Sequence, residues 1–262
     1  MDKKITFGFV LFIIVLIFFA GCTEPNAEDS TIKRIKDAGV LKVGTCTPFE
    51  PMEYKNESGD ILGFDIDIAE EIAMHLGVEI EIKDYPNLFD NISTPLEDGE
   101  VDMVIAAITI TIERTKQVLF SRPYLNAGQI IIVNASNTDI KSEIDLFNKI
   151  VGVQRNTTGE EEALKYTNSS SQVITYLNYE MALLDLIAEE IDAIIVDYPS
   201  GVALIKNQPD LKIIGAPFTN EFYGIAVKKG EKALVAEIDS VIVGLLENGK
   251  MNEIKNRWLL ES

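Results

Sequence analysis

The stretch Gly63–Ile82, GFDIDIAEEIAMHLGVEIEI, changes its hydrophobic period once. Ile66, Ala69, Ile72, Ala73 and Leu76 recur at helical spacing, with Glu70 and Glu71 turned outward, which predicts a helix over 65–76. Val78–Ile82 then alternates apolar and charged residues, the period of a half-buried strand. A helix running into a strand is the unit of α/β architecture, and the pattern extends in both directions. Upstream, Val40–Thr45 (VLKVGT) reads as a strand. Downstream come a short helix over Leu88–Glu97, a buried strand over Val101–Ala106 and another strand over Gln129–Val133.

A second α/β set follows. Ile150–Gln154, Gln172–Tyr176, Asp192–Val196, Leu211–Ile214 and Phe222–Val227 read as strands. Gly159–Tyr166 and Tyr179–Glu189 read as helices between them, and Lys232–Glu247 and Met251–Trp258 as C-terminal helices parted by Gly249. Two phrases echo each other: Glu100–Ala106 (EVDMVIA) and Glu190–Val196 (EIDAIIV). Each is an acidic turn, an Asp and an apolar strand, which suggests two lobes of like architecture.

The whole chain has 262 residues, with 23 basic and 42 acidic side chains and a formal net charge of −19. Such acidity excludes a phosphate backbone as partner, which needs a Lys/Arg surface. With 2 Cys and 1 His, no zinc site of ordinary spacing can be built, and no metal is expected. No nucleotide, metalloprotease or serine-hydrolase motif is present, so no catalytic residue and no cofactor are assigned.

The apolar residues concentrate at the front. Lys3 and Lys4 precede the apolar run Ile5–Ala20, which is shorter than the ~20 residues a bilayer span needs. It reads as an export signal over residues 1–21, or as an uncleaved anchor helix. Phe19-Ala20-Gly21-Cys22 resembles a bacterial lipoprotein signal, in which Cys22 is lipidated and becomes the first mature residue. Residues 22–30, polar and carrying Pro25, are expected to be a flexible tether.

Polar residues cluster where strands end, the place where open α/β sheets bind ligands. After strand 101–106 come Ala107, Thr109 and Arg114; the Arg fork suits a carboxylate, or an ion pair with Glu113 or Asp102. After strand 150–154 come Gln154, Thr157 and Thr158, a helix start that offers N–H groups to an anion or is simply capped. Asp197 ends strand 192–196 and suits an ammonium, or caps the following helix. Cys46 and Phe49 follow the first strand, and Phe49 and Phe89 form the walls of an apolar slot or part of the core. Together these residues suit a zwitterion with a side chain.

In Gly63–Ala73, in Asp102 within VDMVIAAITIT, and in Glu113-Arg114, Phe120-Ser121 and Pro123-Tyr124, the chain resembles the extracellular solute-binding proteins of polar amino-acid ABC importers. This is solute-binding family 3, which includes glutamine-, histidine- and lysine/arginine/ornithine-binding proteins. The resemblance covers residues 31–260. It implies an α/β fold of the type II periplasmic-binding-protein kind, with two α/β sandwich lobes joined by crossover strands near 127–131 and 220–224. Lobe 1 would be 31–127 plus 222–262, and lobe 2 would be 128–221.

By the same resemblance, Arg114 takes the α-carboxylate, helped by Thr109 and the Thr157–Thr158 loop. Asp197 takes the α-ammonium with the Ala107 carbonyl, and Phe49 and Phe89 sandwich the side chain. Cys46 and Gln154 stand where relatives place a charge, which predicts a pocket without a fixed charge and a neutral polar ligand, glutamine first. The implied protein is a non-enzymatic monomer on the outer face of the cell membrane, with a free amino acid and an ABC permease as partners. A periplasmic dehydratase of the same fold and a ligand sensor are the alternatives.

Overall fold

The computed structural model describes residues 27–260, so the export segment 1–21 and Cys22 lie outside the described residues. In chain order the strands are β1 Val40–Thr45, β2 Tyr54–Lys55, β3 Ile61–Leu62, β4 Glu79–Asp84, β5 Met103–Val104, β6 Leu119–Phe120 and β7 Leu125–Ala127. They continue as β8 Gln129–Asn134, β9 Val151–Gln154, β10 Val173–Tyr176, β11 Ala193–Asp197, β12 Leu211–Ile214, β13 Glu221–Tyr223 and β14 Ala226–Val227. The helices are α1 Ala27–Ala38, α2 Phe64–Leu76, α3 Thr94–Glu97, α4 Ile112–Gln117, α5 Thr158–Tyr166, α6 Tyr179–Ile187, α7 Tyr198–Ile205, α8 Lys232–Glu247 and α9 Lys250–Lys255.

Two five-stranded sheets carry the fold, in the orders β4-β1-β5-β14-β6 and β10-β9-β11-β8-β12. β1 is parallel to β4 and β5, β9 is parallel to β10 and β11, and in each sheet the next neighbour of the third strand is antiparallel to it. The two echoing phrases supply that third strand in both sheets. Their aspartates do the same work. Lys42 N–H donates to Asp102 Oδ2 at 2.9 Å, and Ile150 N–H donates to Asp192 Oδ2 at 2.7 Å. Each Asp backbone N–H returns a 2.8 Å bond, to the Lys42 and the Ile150 carbonyl. The acidic turn therefore clasps the start of the neighbouring strand and sets its register.

Side chains alternate between two apolar layers on each sheet, as the strand period of two requires. In β8, Ile130 and Ile132 join one cluster while Ile131 and Val133 join the other. In the first sheet, Leu41, Val43, Met103 and Val227 pack against α2 and α8, and Val104 and Ala226 pack on the opposite face. The chain passes from the first sheet to the second after β7 and returns at β13, and these two strands pair antiparallel as a ribbon. The first crossing strand thus lies at 125–127, earlier than expected, because Gln129 already pairs with Asp197 inside the second sheet.

α2 shows why Gly63–Ala73 is so constrained. Gly63 precedes the helix at φ 142, and a Cβ there would stand 2.1 Å from the Met52 carbonyl oxygen. Asp65, fully buried, does not cap its own helix. Its Oδ2 accepts the Ala107 N–H at 2.7 Å and the Tyr124 hydroxyl at 2.9 Å. Asp67 accepts Arg257 Nη1 at 2.7 Å and Trp258 Nε1 at 2.9 Å, pinning the C-terminal segment.

Several expectations need correction. α1 begins at Ala27, so residues 27–30 of the expected tether are helical. The expected helix Leu88–Glu97 is broken: a 3₁₀ turn over Leu88–Asp90 ends at Asn91, whose side chain accepts the Ser93 N–H, and α3 starts only at Thr94. The 101–106 segment pairs as a strand only at Met103–Val104. The expected strand 222–227 divides at Gly224, because β13 belongs to the ribbon and β14 to the first sheet. Gly249 opens α9 with φ 82, while Asn248 closes α8. Among the described residues no helix is long and apolar enough to cross a membrane.

Candidate functional site

Between the two sheets lies a narrow cavity lined by Phe49, Phe89, Ala107, Thr109, Arg114, Gln154, Thr157, Thr158, Tyr179 and Asp197. Every expected cleft residue except Cys46 is there, and Tyr179 is an addition.

Arg114 is placed by its own short helix. Thr111 caps α4 by accepting the Arg114 N–H at 3.2 Å, which sends the side chain back over the loop before it. Its Nη1 donates to the Thr109 carbonyl at 2.9 Å, and its Nη2 crosses the cleft to the Asn156 carbonyl at 3.3 Å. The guanidinium stands 5.4 Å above the Phe89 ring, a cation–π distance. It is not in a surface ion pair: Asp102 holds Arg34 at 2.6 Å, and Glu113 faces Lys116 at 3.6 Å. Burial pulls the guanidinium below its ordinary range, opposed by Glu161, Asp197 and Glu221.

Asp197 occupies the position that precedes α7 but makes no cap bond with its side chain. Its carboxylate instead accepts from Gln129 Nε2 and the Tyr223 hydroxyl. Burial, and next the Glu221 charge, push the Asp197 carboxyl up to about 7. Across the cleft, Ala107 is held at φ 49 while its N–H is bound to Asp65.

The loop before α5 is both capped and open to the cleft. Thr157 precedes the helix, donates to the Gln154 carbonyl at 2.7 Å and accepts the Glu160 N–H at 3.4 Å. Gln154 Nε2 is committed to the Leu177 carbonyl at 3.0 Å, which leaves Oε1 as the acceptor of that side chain. Phe49 faces Tyr179 from the opposite side with ring centroids 5.9 Å apart.

Cys46 is displaced from the cleft. It is 4% exposed and packs with Leu88, Ile92 and Leu96 on the far face of the first sheet. Its Sγ lies 3.9 Å from the Pro86 carbonyl, and burial pushes the thiol up to about 12. The expected pocket wall is a core residue.

Sequence reading missed Gln129, Glu221 and Tyr223. Glu221 is the most consequential. Its Oε2 accepts the hydroxyls of Thr109 at 2.9 Å and Thr158 at 2.7 Å, and its Oε1 accepts Thr219 at 2.9 Å. Glu221 follows no strand end and belongs to no motif; an unexplained acid in the crossing segment was the only available signal. Among the described residues, no group of three His, Cys, Asp or Glu could hold a metal ion.

Comparison with known proteins identifies the family and the fold. The family described as bacterial extracellular solute-binding proteins, family 3, matches residues 41–261. The ABC transporter glutamine-binding protein GlnH of Bacillus subtilis is 33% identical over 261 residues, covering 96% of this chain and 94% of that protein. A crystal structure of the P235GK mutant of ArgBP from T. maritima superposes with TM-score 0.81 at 38% identity, covering 87% of this chain and 98% of that one. The ancestral amino acid-binding protein AncCDT-1, a precursor of cyclohexadienyl dehydratase, superposes with TM-score 0.80 at 33% identity, covering 87% and 99%.

Proposed function

The chain belongs to the bacterial extracellular solute-binding proteins of family 3, and from that premise we propose that it captures a polar amino acid outside the cell and delivers it to an ABC-type permease. One observation carries the reading: Arg114 and Asp197, of opposite charge and from opposite sheets, line one cavity together with Phe49, Phe89 and Tyr179. Arg114 takes the α-carboxylate, with the N–H groups at the start of α5. Asp197 and the Ala107 carbonyl take the ammonium, and the aromatic rings flank the side chain.

Lobe 1 comprises 31–127 plus 222–262, and lobe 2 comprises 128–221. The β7–β13 ribbon is the hinge on which ligand binding favours closure. The neutral-pocket expectation loses Cys46 and rests on Gln154, whose free acceptor asks for an N–H donor on the ligand side chain. A side-chain amide, as in glutamine, and a guanidinium, as in arginine, both supply one. The glutamine-binding relative and the solved arginine-bound ArgBP support this pair. Cys22 carries the lipid that holds the monomer to the outer face of the membrane.

A dehydratase is the second reading, favoured by the likeness to AncCDT-1. It needs a proton donor in the cavity, and the carboxyl lining it, Asp197, is engaged by Gln129 and Tyr223. A thermal-shift panel of the twenty amino acids tests the main reading, since a ligand that binds only the folded state raises the melting temperature. Stabilisation by one or a few polar amino acids is expected; a flat panel together with turnover of a cyclohexadienyl acid would replace it with the enzyme.

A further inference from the structure

Glu221 stands at the return crossing between the sheets and is 8% exposed. All three of its hydrogen-bond donors are neutral hydroxyls, from Thr109, Thr158 and Thr219. Asp197 is likewise held by neutral donors, Gln129 and Tyr223. Two guanidinium groups stand at the cleft among the described residues. Arg114 lines the cavity, while the Arg155 guanidinium is spent on Asp90 at 3.2 and 2.9 Å. Glu221 and, once ionised, Asp197 therefore share one guanidinium, a ligand ammonium beside Asp197 favouring its ionised form, and Glu161 adds a further negative charge near Arg114. A zwitterionic head group cancels internally and leaves that surplus in place.

The hydroxyls point the same way. With its proton directed at Glu221, Thr109 presents lone pairs to the cavity, while the Thr158 hydroxyl, likewise donating to Glu221, accepts Gln129 Nε2 at 3.3 Å. Lone pairs accept from an ammonium and repel a carboxylate. The help that Thr109 was expected to give Arg114 is thereby redirected toward the cationic end of the ligand.

We propose that Glu221 is a specificity-determining residue: its buried carboxylate gives the cleft a surplus of negative charge that selects an amino acid of net positive charge. The inference rests on the reading of the cleft as an amino-acid site and names the ligand class of that site. A cationic side chain flanked by Phe49, Phe89 and Tyr179, with its N–H groups on Gln154 Oε1, offsets the surplus in a low-dielectric space, where a whole charge counts for more than in water.

The test is calorimetry on the purified chain with arginine, lysine, glutamine and glutamate, repeated on Glu221→Gln. In the unaltered chain, arginine or lysine is expected to bind at least about tenfold more tightly than glutamine, and glutamate weakest. In Glu221→Gln the preference for the cation is expected to shrink by about tenfold, with glutamine affinity changed by less than about threefold. A role limited to supporting the fold would weaken all ligands alike and leave the ratio untouched. Tightest binding to glutamine or glutamate in the unaltered chain overturns the proposal without any variant, and so does an unchanged ratio in Glu221→Gln. If none of the four binds but another amino acid of the panel does, this role of Glu221 falls while the amino-acid reading stands; if the whole panel is flat, both fail.

Discussion

Arg155 grips Asp90 across the cleft, Nε to Oδ1 at 3.2 Å and Nη2 to Oδ2 at 2.9 Å. The two residues come from opposite sheets, so the pair forms only when the lobes are together. Asn156 Nδ2 adds a third bond to the same carboxylate at 2.8 Å. In the two-lobe reading proposed above the pair is a latch on the closed state, and neither residue lines the cavity.

The latch is about half exposed, 42% at Arg155 and 48% at Asp90, so solvent screens it. Asp90→Ala is expected to weaken ligand binding about two- to fivefold, in keeping with exposed pairs worth ~0.2–1 kcal/mol. A double-mutant cycle with Arg155→Ala checks this by calorimetry. Strictly additive effects would show that the pair does not couple the lobes.

Arg114→Ala removes the one guanidinium that lines the cavity. A ligand carboxylate buried without it costs about 2–5 kcal/mol, roughly thirtyfold to several thousandfold in affinity. Arg114→Lys should recover only part, because an ammonium lacks the planar fork. Calorimetry with the tightest ligand of the panel reads the loss. Affinity within threefold of the unaltered chain would remove Arg114 from head-group binding.

Stability and affinity should respond to pH in opposite directions. Asp197 and Asp65 are both pushed up to about 7, burial being the main cause, and burial lifts Glu53 in the same direction. An unfolded carboxyl ionises near pH ~4. Between about pH 4 and pH 7 the folded chain holds protons that the unfolded chain has lost, so the ligand-free protein loses stability as pH rises. Ligand affinity should rise over the same range, because ionised Asp197 is the form that holds an ammonium. Melting curves and calorimetry at matched pH values check both slopes; Asp197→Asn should flatten the affinity slope and reduce the stability slope, leaving the share of Asp65 and Glu53. Parallel slopes would show that Asp197 is not the group involved.

Gly63→Ala should be severe. At φ 142 the backbone is in a region essentially reserved for glycine, and the new Cβ would meet the Met52 carbonyl oxygen at 2.1 Å. A loss of at least about 2 kcal/mol in denaturant unfolding is expected from the backbone strain alone. Cys46→Ala, by contrast, trims a core side chain on the far face of the sheet and should leave ligand affinity within about twofold while costing ~1 kcal/mol of stability. Denaturant melts and calorimetry on the two variants separate the effects.

Much of this was legible in the chain. Helical and strand periods are local, and so is the tendency of polar residues to collect where a buried strand ends; Arg114, Asp197, Thr157 and Thr158 were found that way. The Asp102 and Asp192 clasps were visible as an echo in the sequence, though not as hydrogen bonds. Leu88–Glu97 misled because its apolar spacing fits a helix, while Asn91 and Pro95 impose a turn and a fresh start.

What the sequence determined by itself is therefore the set of elements, the two-lobed plan and the residues at the ends of its strands. What only the tertiary structure decided is which side chains converge. Glu221 meets Thr109 across a separation of 112 residues and Thr158 across 63. Cys46 turned out to face the core rather than the cleft, which depends on how the loop after β1 leaves the sheet. Period and composition act over a few residues, whereas the charge balance of a cleft is set by groups that reach it from distant parts of the chain. For that reason a neutral reading made from Cys46 and Gln154 could not weigh Glu221, which joins the cleft only in the fold.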